Sequence, residues 1–152
     1  MKTRTAIGMA VAACVTLLAQ AQQPKPEDQL KLRKAAYTLL NYGFGPLAQM
    51  AEGKRPYSKE EAIRRADLIA QIAPIPKGLF GEGTDKVGET RAKPEIWTNR
   101  ADFDAKMDKM VGEVSKLPQL ARTADEATVK KAIKDIDDAC DACHQDYRTK
   151  RR

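Results

Sequence analysis

The sequence predicts an all-α protein, an antiparallel four-helix bundle, and two observations carry that reading. Four segments set apolar residues three and four apart, the period of a helix with one buried face. No segment alternates apolar and polar residues as a half-buried strand does. Prolines, glycines and capping residues fall between the four segments, where helix ends are expected.

The first residues read as an export signal. Lys2 and Arg4 form a basic start, residues 6–19 are mostly apolar, and Ala19-Gln20-Ala21 has the small-x-small pattern of a cleavage site. Residues 1–21 are therefore expected to be a cleaved signal peptide and residues 22–152 one domain of 131 residues. The apolar run is too short for a stable membrane anchor. Val11-Ala12-Ala13-Cys14 also resembles a lipoprotein box, but the apolar run continues beyond the cysteine. Export into the periplasm is the expectation.

Pro26-Glu27-Asp28 opens the first helix, with proline early and acids in the first turn. Leu32, Ala36, Leu39, Leu40 and Leu47 follow as its apolar positions, and Gly43, Gly45 and Pro46 predict a bend or break. Ser58-Lys59-Glu60-Glu61 is a capping box for the second helix, whose stripe is Ala62, Ala66, Ile69 and Ala73. Residues 74–98 form a long connection rich in proline and glycine, with Leu79, Phe80, Ile96 and Trp97 as apolar anchors. The third helix begins near Asn99 and runs along Phe103, Met107, Met110, Val114 and Leu117, with Pro118 expected to end it. A second capping box, Thr123-Ala124-Asp125-Glu126, starts the fourth helix. Its stripe is Val129, Ile133, Ile136, Cys140, Cys143 and Tyr147.

Cys140-Asp141-Ala142-Cys143-His144 has the C-x-x-C-H spacing of c-type haem attachment. Two thiols add across the porphyrin vinyl groups, and the following imidazole reaches the iron. On a helix the three side chains share one side, so a single turn grips ring edge and metal together. A dithiol redox centre is the second reading, but such centres usually sit at a helix N-terminus after a strand. Zinc would need further ligands, and a disulfide across this spacing in a helix would be strained. The fold expected is thus a bundle with covalently attached haem c in its core, one per chain.

His144 is the only histidine, so no second histidine can reach the iron. Met107 and Met110 fit the hydrophobic seam, and the side on which Met50 lies is open. One protein axial ligand is the economical inference. A lone histidine also leaves no Ser-His-Asp arrangement, so a binding and redox protein is expected rather than an enzyme. The net charge of +6 falls to +4 without Lys2 and Arg4, with both signs mixed along the helices, which does not suggest a nucleic-acid binder.

Together, Pro26-Glu27-Asp28 with Arg33, Leu79-Phe80-Gly81, Lys93-Pro94-Glu95-Ile96-Trp97 and the stretch from Cys140-Asp141-Ala142-Cys143-His144 through Gln145-Asp146-Tyr147-Arg148 carry a family likeness. The chain resembles the cytochromes c′, the class II c-type cytochromes. That resemblance implies His144 as the proximal ligand with Arg148 near its free ring nitrogen. It places Arg33 at a haem propionate with Lys34 beside it, and Glu89 and Thr90 at the haem edge. Tyr37 would face the open iron side, with Phe80 as a second distal wall. Relatives with methionine-ligated iron carry Met near that place, so Tyr37 favours five-coordinate iron. Nitric oxide and CO as ligands, one-electron exchange with redox partner proteins, and a homodimer are also implied. Two alternatives stand beside this: a low-spin carrier with a Met sixth ligand such as Met50, and a thiol-disulfide oxidoreductase using Cys140 and Cys143.

Overall fold

The computed structural model describes residues 24–150. The expected signal peptide and the final Arg151-Arg152 lie outside the described residues. Four long helices make the fold: α1 (Pro26–Ala51), α2 (Lys59–Ile72), α3 (Arg100–Thr123) and α4 (Glu126–Tyr147). Between α2 and α3 the chain forms a 3-10 turn at Pro76–Leu79 and a single helical turn at Glu95–Thr98. Each long helix packs on the next, and α4 returns to α1, where the seam is the thinnest of the four. Among the described residues no helix is long and apolar enough to cross a membrane.

The core lies where the helical stripes meet. Ala62, Ala66, Ile69 and Ala73 of α2 are buried as their spacing requires. So are Phe103, Met107, Met110, Val114 and Leu117 of α3, and Val129, Ile133 and Ile136 of α4. Ser58 caps α2 by accepting from Glu61 N at 3.3 Å. On α4 the cap is Asp125, which accepts from Thr128 N at 2.8 Å, and not Thr123, which still belongs to α3.

Three further expectations are corrected. α1 does not break at Gly43, Gly45 and Pro46 but runs through them to Ala51. Pro46 cannot donate to the carbonyl four residues back, that of Tyr42. Arg65 of α2 fills the gap, its Nη1 donating to Tyr42 O at 2.7 Å. Gly43 allows α1 and α2 to approach closely, for a Cβ there would meet Ile69 Cγ2 at 2.5 Å. α3 likewise continues past Pro118 to Thr123, which adds Ala121 to its buried stripe. Finally, Leu32 and Leu39 do not join the core: they are 49% and 45% exposed, and Leu30 and Met50 are buried instead, beside the expected Ala36 and Leu47.

Candidate haem site

The site forms where the C-terminal turns of α4 face the N-terminal half of α1. Cys140 and Cys143 are free thiols, half-buried and packed against the edge of the core. The innermost place on this part of α4 goes to Ala139, so the cysteines flank the buried stripe and open toward its border. Burial pushes the Cys140 thiol up to about 12, with Asp137 and Cys143 adding to the effect. The Cys143 thiol is raised too, first by burial and against the pull of Lys106.

His144 is half-buried, and burial lowers its affinity for a proton, as does the charge of Arg148. Asp141 opposes them, its Oδ1 standing 3.8 Å from His144 Nδ1. A neutral imidazole is the form that can bind a metal. Arg148 caps α4, its backbone N–H donating to His144 O at 3.1 Å. Asp141 is thus the carboxylate nearest His144 Nδ1, and its place inside the motif, three residues before the histidine, was the signal for it.

Across the seam, Arg33 is buried at 3% exposure, although it is a permanent cation. Its Nη1 donates to Leu79 O at 3.3 Å and its Nη2 to Thr90 Oγ1 at 3.4 Å. Its guanidinium lies 4.2 Å from the Phe80 ring centre and 6.0 Å from that of Trp97. Those partners orient a cation but carry no negative charge, which leaves the site suited to an anionic group. Desolvation accordingly lowers the Arg33 pKa.

Tyr37 stands between the two sides. Its phenol is shifted well upward by burial and by Cys143 and Cys140, against Arg33 and Arg148, so the charges of all four are felt at its hydroxyl. The residue as a whole is still 36% exposed, which places Tyr37 at the surface edge of the seam. Phe80 is buried, edge-on to Phe103 at 4.8 Å and tilted to Trp97 at 6.0 Å. Thr90 reaches the site through Arg33, while Lys34 and Glu89 are exposed.

The long connection holds this wall in place. Gly81 O accepts from Trp97 Nε1 at 3.1 Å and Thr84 Oγ1 at 2.7 Å, and Gly81 N donates to Gln29 Oε1 at 3.2 Å. Arg100 Nη1 donates to Phe80 O at 2.8 Å. Trp97 and Gln29 were not among the expected site residues. Only the apolar anchors of the loop hinted at the first, and nothing in the spacing hinted at the second.

Two thiols and an imidazole on one helical turn of a four-helix bundle are the marks of a c-type haem protein. Comparison with known proteins agrees. The cytochrome c′ family profile matches residues 28–148. The cytochrome c′ of Rubrivivax gelatinosus is 37% identical over 129 residues, covering 85% of this chain and all of that protein. Its crystal structure superposes with a TM-score of 0.79 over 84% of this chain and 100% of that one. The cytochrome c′ of Shewanella frigidimarina gives a TM-score of 0.79 at 32% identity, covering 85% of this chain and 100% of that one. A nitric oxide complex of a variant of the Alcaligenes xylosoxidans protein gives 0.75 at 31%, covering 86% and 100%. The chain belongs to the cytochrome c′ family, and its cofactor is haem c, bound covalently.

Proposed function

We propose that this chain is an exported haem protein with five-coordinate iron that binds nitric oxide or CO and exchanges one electron with partner proteins. Cys140 and Cys143 hold the haem, His144 binds the iron, and the buried Arg33 receives a propionate. Bound haem supplies an iron that takes a gas ligand and changes oxidation state. The chain's own residues set the terms: burial and Arg148 keep His144 neutral, and Asp141 orients its ring. Tyr37 stands at the mouth of the opposite side, where its bulk excludes water and limits the size of a ligand. Phe80 backs Arg33 and forms the inner wall. Lys34, Glu89 and Thr90 lie at the rim, with Thr90 acting through Arg33.

The observation that carries this reading is that both thiols and His144 share the last turns of α4, which packs on α1 with its buried Arg33. The nitric oxide complex of the Alcaligenes xylosoxidans relative supports the choice of ligand. Met50, Met107 and Met110 are buried at 0%, 2% and 6% in the core, which favours an iron without methionine. The raised thiols speak against the oxidoreductase, which needs a thiolate near neutral pH. Export by residues 1–21 and a single domain over 22–152 belong to this reading. So does a homodimer, and Leu32, Leu39 and Tyr42 (65% exposed) on the outer face of α1 offer apolar surface for a second copy.

The test is haem retention on a denaturing gel, with the protein made in a host that attaches haem. The chain should keep its haem, and Cys140→Ser/Cys143→Ser should lose it. Retention by the double variant would overturn the attachment. Tyr37→Ala should raise CO affinity, and an unchanged affinity would remove Tyr37 from the distal side.

A further inference from the structure

The connection before α3 and the tail after α4 are far apart in sequence, yet they pair as a short antiparallel ribbon. Ala92 and Arg148 form the bridge. Lys93 N donates to Tyr147 O at 3.0 Å and Thr149 N to Arg91 O at 2.9 Å. Side chains reinforce it: Arg91 Nε and Nη2 donate to Thr149 O at 2.9 and 2.6 Å, and Lys93 Nζ to Gln145 O at 3.0 Å.

The paired segments read Arg-Ala-Lys and Arg-Thr-Lys, four cations in six residues with no acid, and Arg151-Arg152 follow in sequence. Arg148 and Lys150 are exposed, and Arg91 and Lys93 are half-buried. Further back on α4, Asp135, Asp137, Asp138 and Asp141 gather the opposite sign. The acidic stretch of the helix that carries the haem motif therefore leads into a basic tail. Such an axis orients a charged partner before contact.

We propose that the ribbon of residues 91–93 and 148–150 is the docking ridge for an acidic redox partner protein. Two features favour a protein over a lipid surface. The ridge is only three residues long, and Asp146 and Glu95 stand beside it in sequence, where an anionic bilayer would meet repulsion. Its place is also suited to electron exchange: Arg148 is four residues beyond His144, and the charges of both Arg148 and Arg91 are felt at that imidazole.

The inference rests on the proposed haem attachment, so the absorbance of the purified holoprotein is read first; a wild-type protein without haem bands would sink that reading before any rate is compared. The experiment then follows oxidation of the ferrous holoprotein by hexacyanoferrate(III), an anionic probe, in stopped flow. Lys93→Glu/Lys150→Glu is compared with Lys31→Glu/Lys59→Glu, which makes the same charge change on α1 and α2. At low salt the ridge variant should react about fivefold more slowly and the control less than about twofold, with the difference lost near ~1 M salt. Oxidation by the cationic tris(phenanthroline)cobalt(III) should speed up in the ridge variant. Because Lys93 also bonds Gln145 O, Lys150→Glu alone serves as a second variant and should show part of the slowing. Equal slowing by ridge and control variants would overturn the proposal. So would an unchanged rate accompanied by ridge-dependent co-sedimentation with phosphatidylglycerol vesicles, which would assign the ridge to a membrane.

Discussion

The two ends of the bundle are built on different terms. Around α2, the middle of α3 and the first turns of α4, every third or fourth side chain is apolar and buried, from Ala62 to Ala73, Met107 to Ala121 and Val129 to Ile136. Between the first half of α1 and the end of α4 the seam is thin, and its occupants are a buried arginine, two half-buried thiols, a histidine and a rim tyrosine. The closed end meets its packing needs with protein alone. The open end holds a buried arginine whose hydrogen-bond partners are a carbonyl and a hydroxyl, beside two half-buried thiols. Stability and function are thus separated along the same four helices.

The largest contrast is expected in thiol chemistry. With Cys140 pushed up to about 12, alkylation of the folded apoprotein at pH 8 should be on the order of a hundredfold slower than in the unfolded chain, whose thiols titrate near ~8.5. The sign follows from the raised pKa, which keeps the thiol protonated, and the folded rate should still be climbing at pH 10. A fast plateau below pH 8 would revive the oxidoreductase.

At the closed end, Leu117→Ala should cost about 2–5 kcal/mol in denaturant unfolding, because a fully buried side chain leaves a cavity. Leu39→Ala, on the outer face of α1, should stay within about 0.5 kcal/mol in the monomer. Similar costs at both positions would erase the distinction between the two faces.

Arg65→Ala should cost about 1–2 kcal/mol, since it removes the donor to Tyr42 O and the pair with Glu61 at 2.7 Å. Lower helicity in far-ultraviolet circular dichroism should accompany that loss if the arginine is what keeps α1 continuous. Asp125→Ala should cost about 1 kcal/mol as a lost helix cap, while Thr123→Ala should change little.

Those last variants mark what the sequence made legible. Periodicity located all four helices and most of the core, and the capping box located the capping serine of α2, because these follow from local spacing. It could not show that α1 survives Pro46, for the compensating donor comes from Arg65 on another helix. Nor could spacing show that Leu32 and Leu39 face outward while Leu30 and Met50 face in, since an apolar helix offers more than one stripe. At the site, C-x-x-C-H was legible as chemistry because all three groups share one turn. The wall opposite was not: Arg33, Leu79, Thr90 and Trp97 meet only through the folding of a long connection. Family likeness supplied Arg33, Phe80 and Thr90, and the geometry showed that they meet and added Leu79 and Trp97 to them.

The most direct test of the open end is the absorption spectrum of the holoprotein, ferric and ferrous, before and after nitric oxide. High-spin bands that shift on adding nitric oxide are predicted, as an iron held by His144 alone with a free side at Tyr37 requires. Sharp low-spin bands that do not respond would contradict the account and place a second protein ligand on the iron.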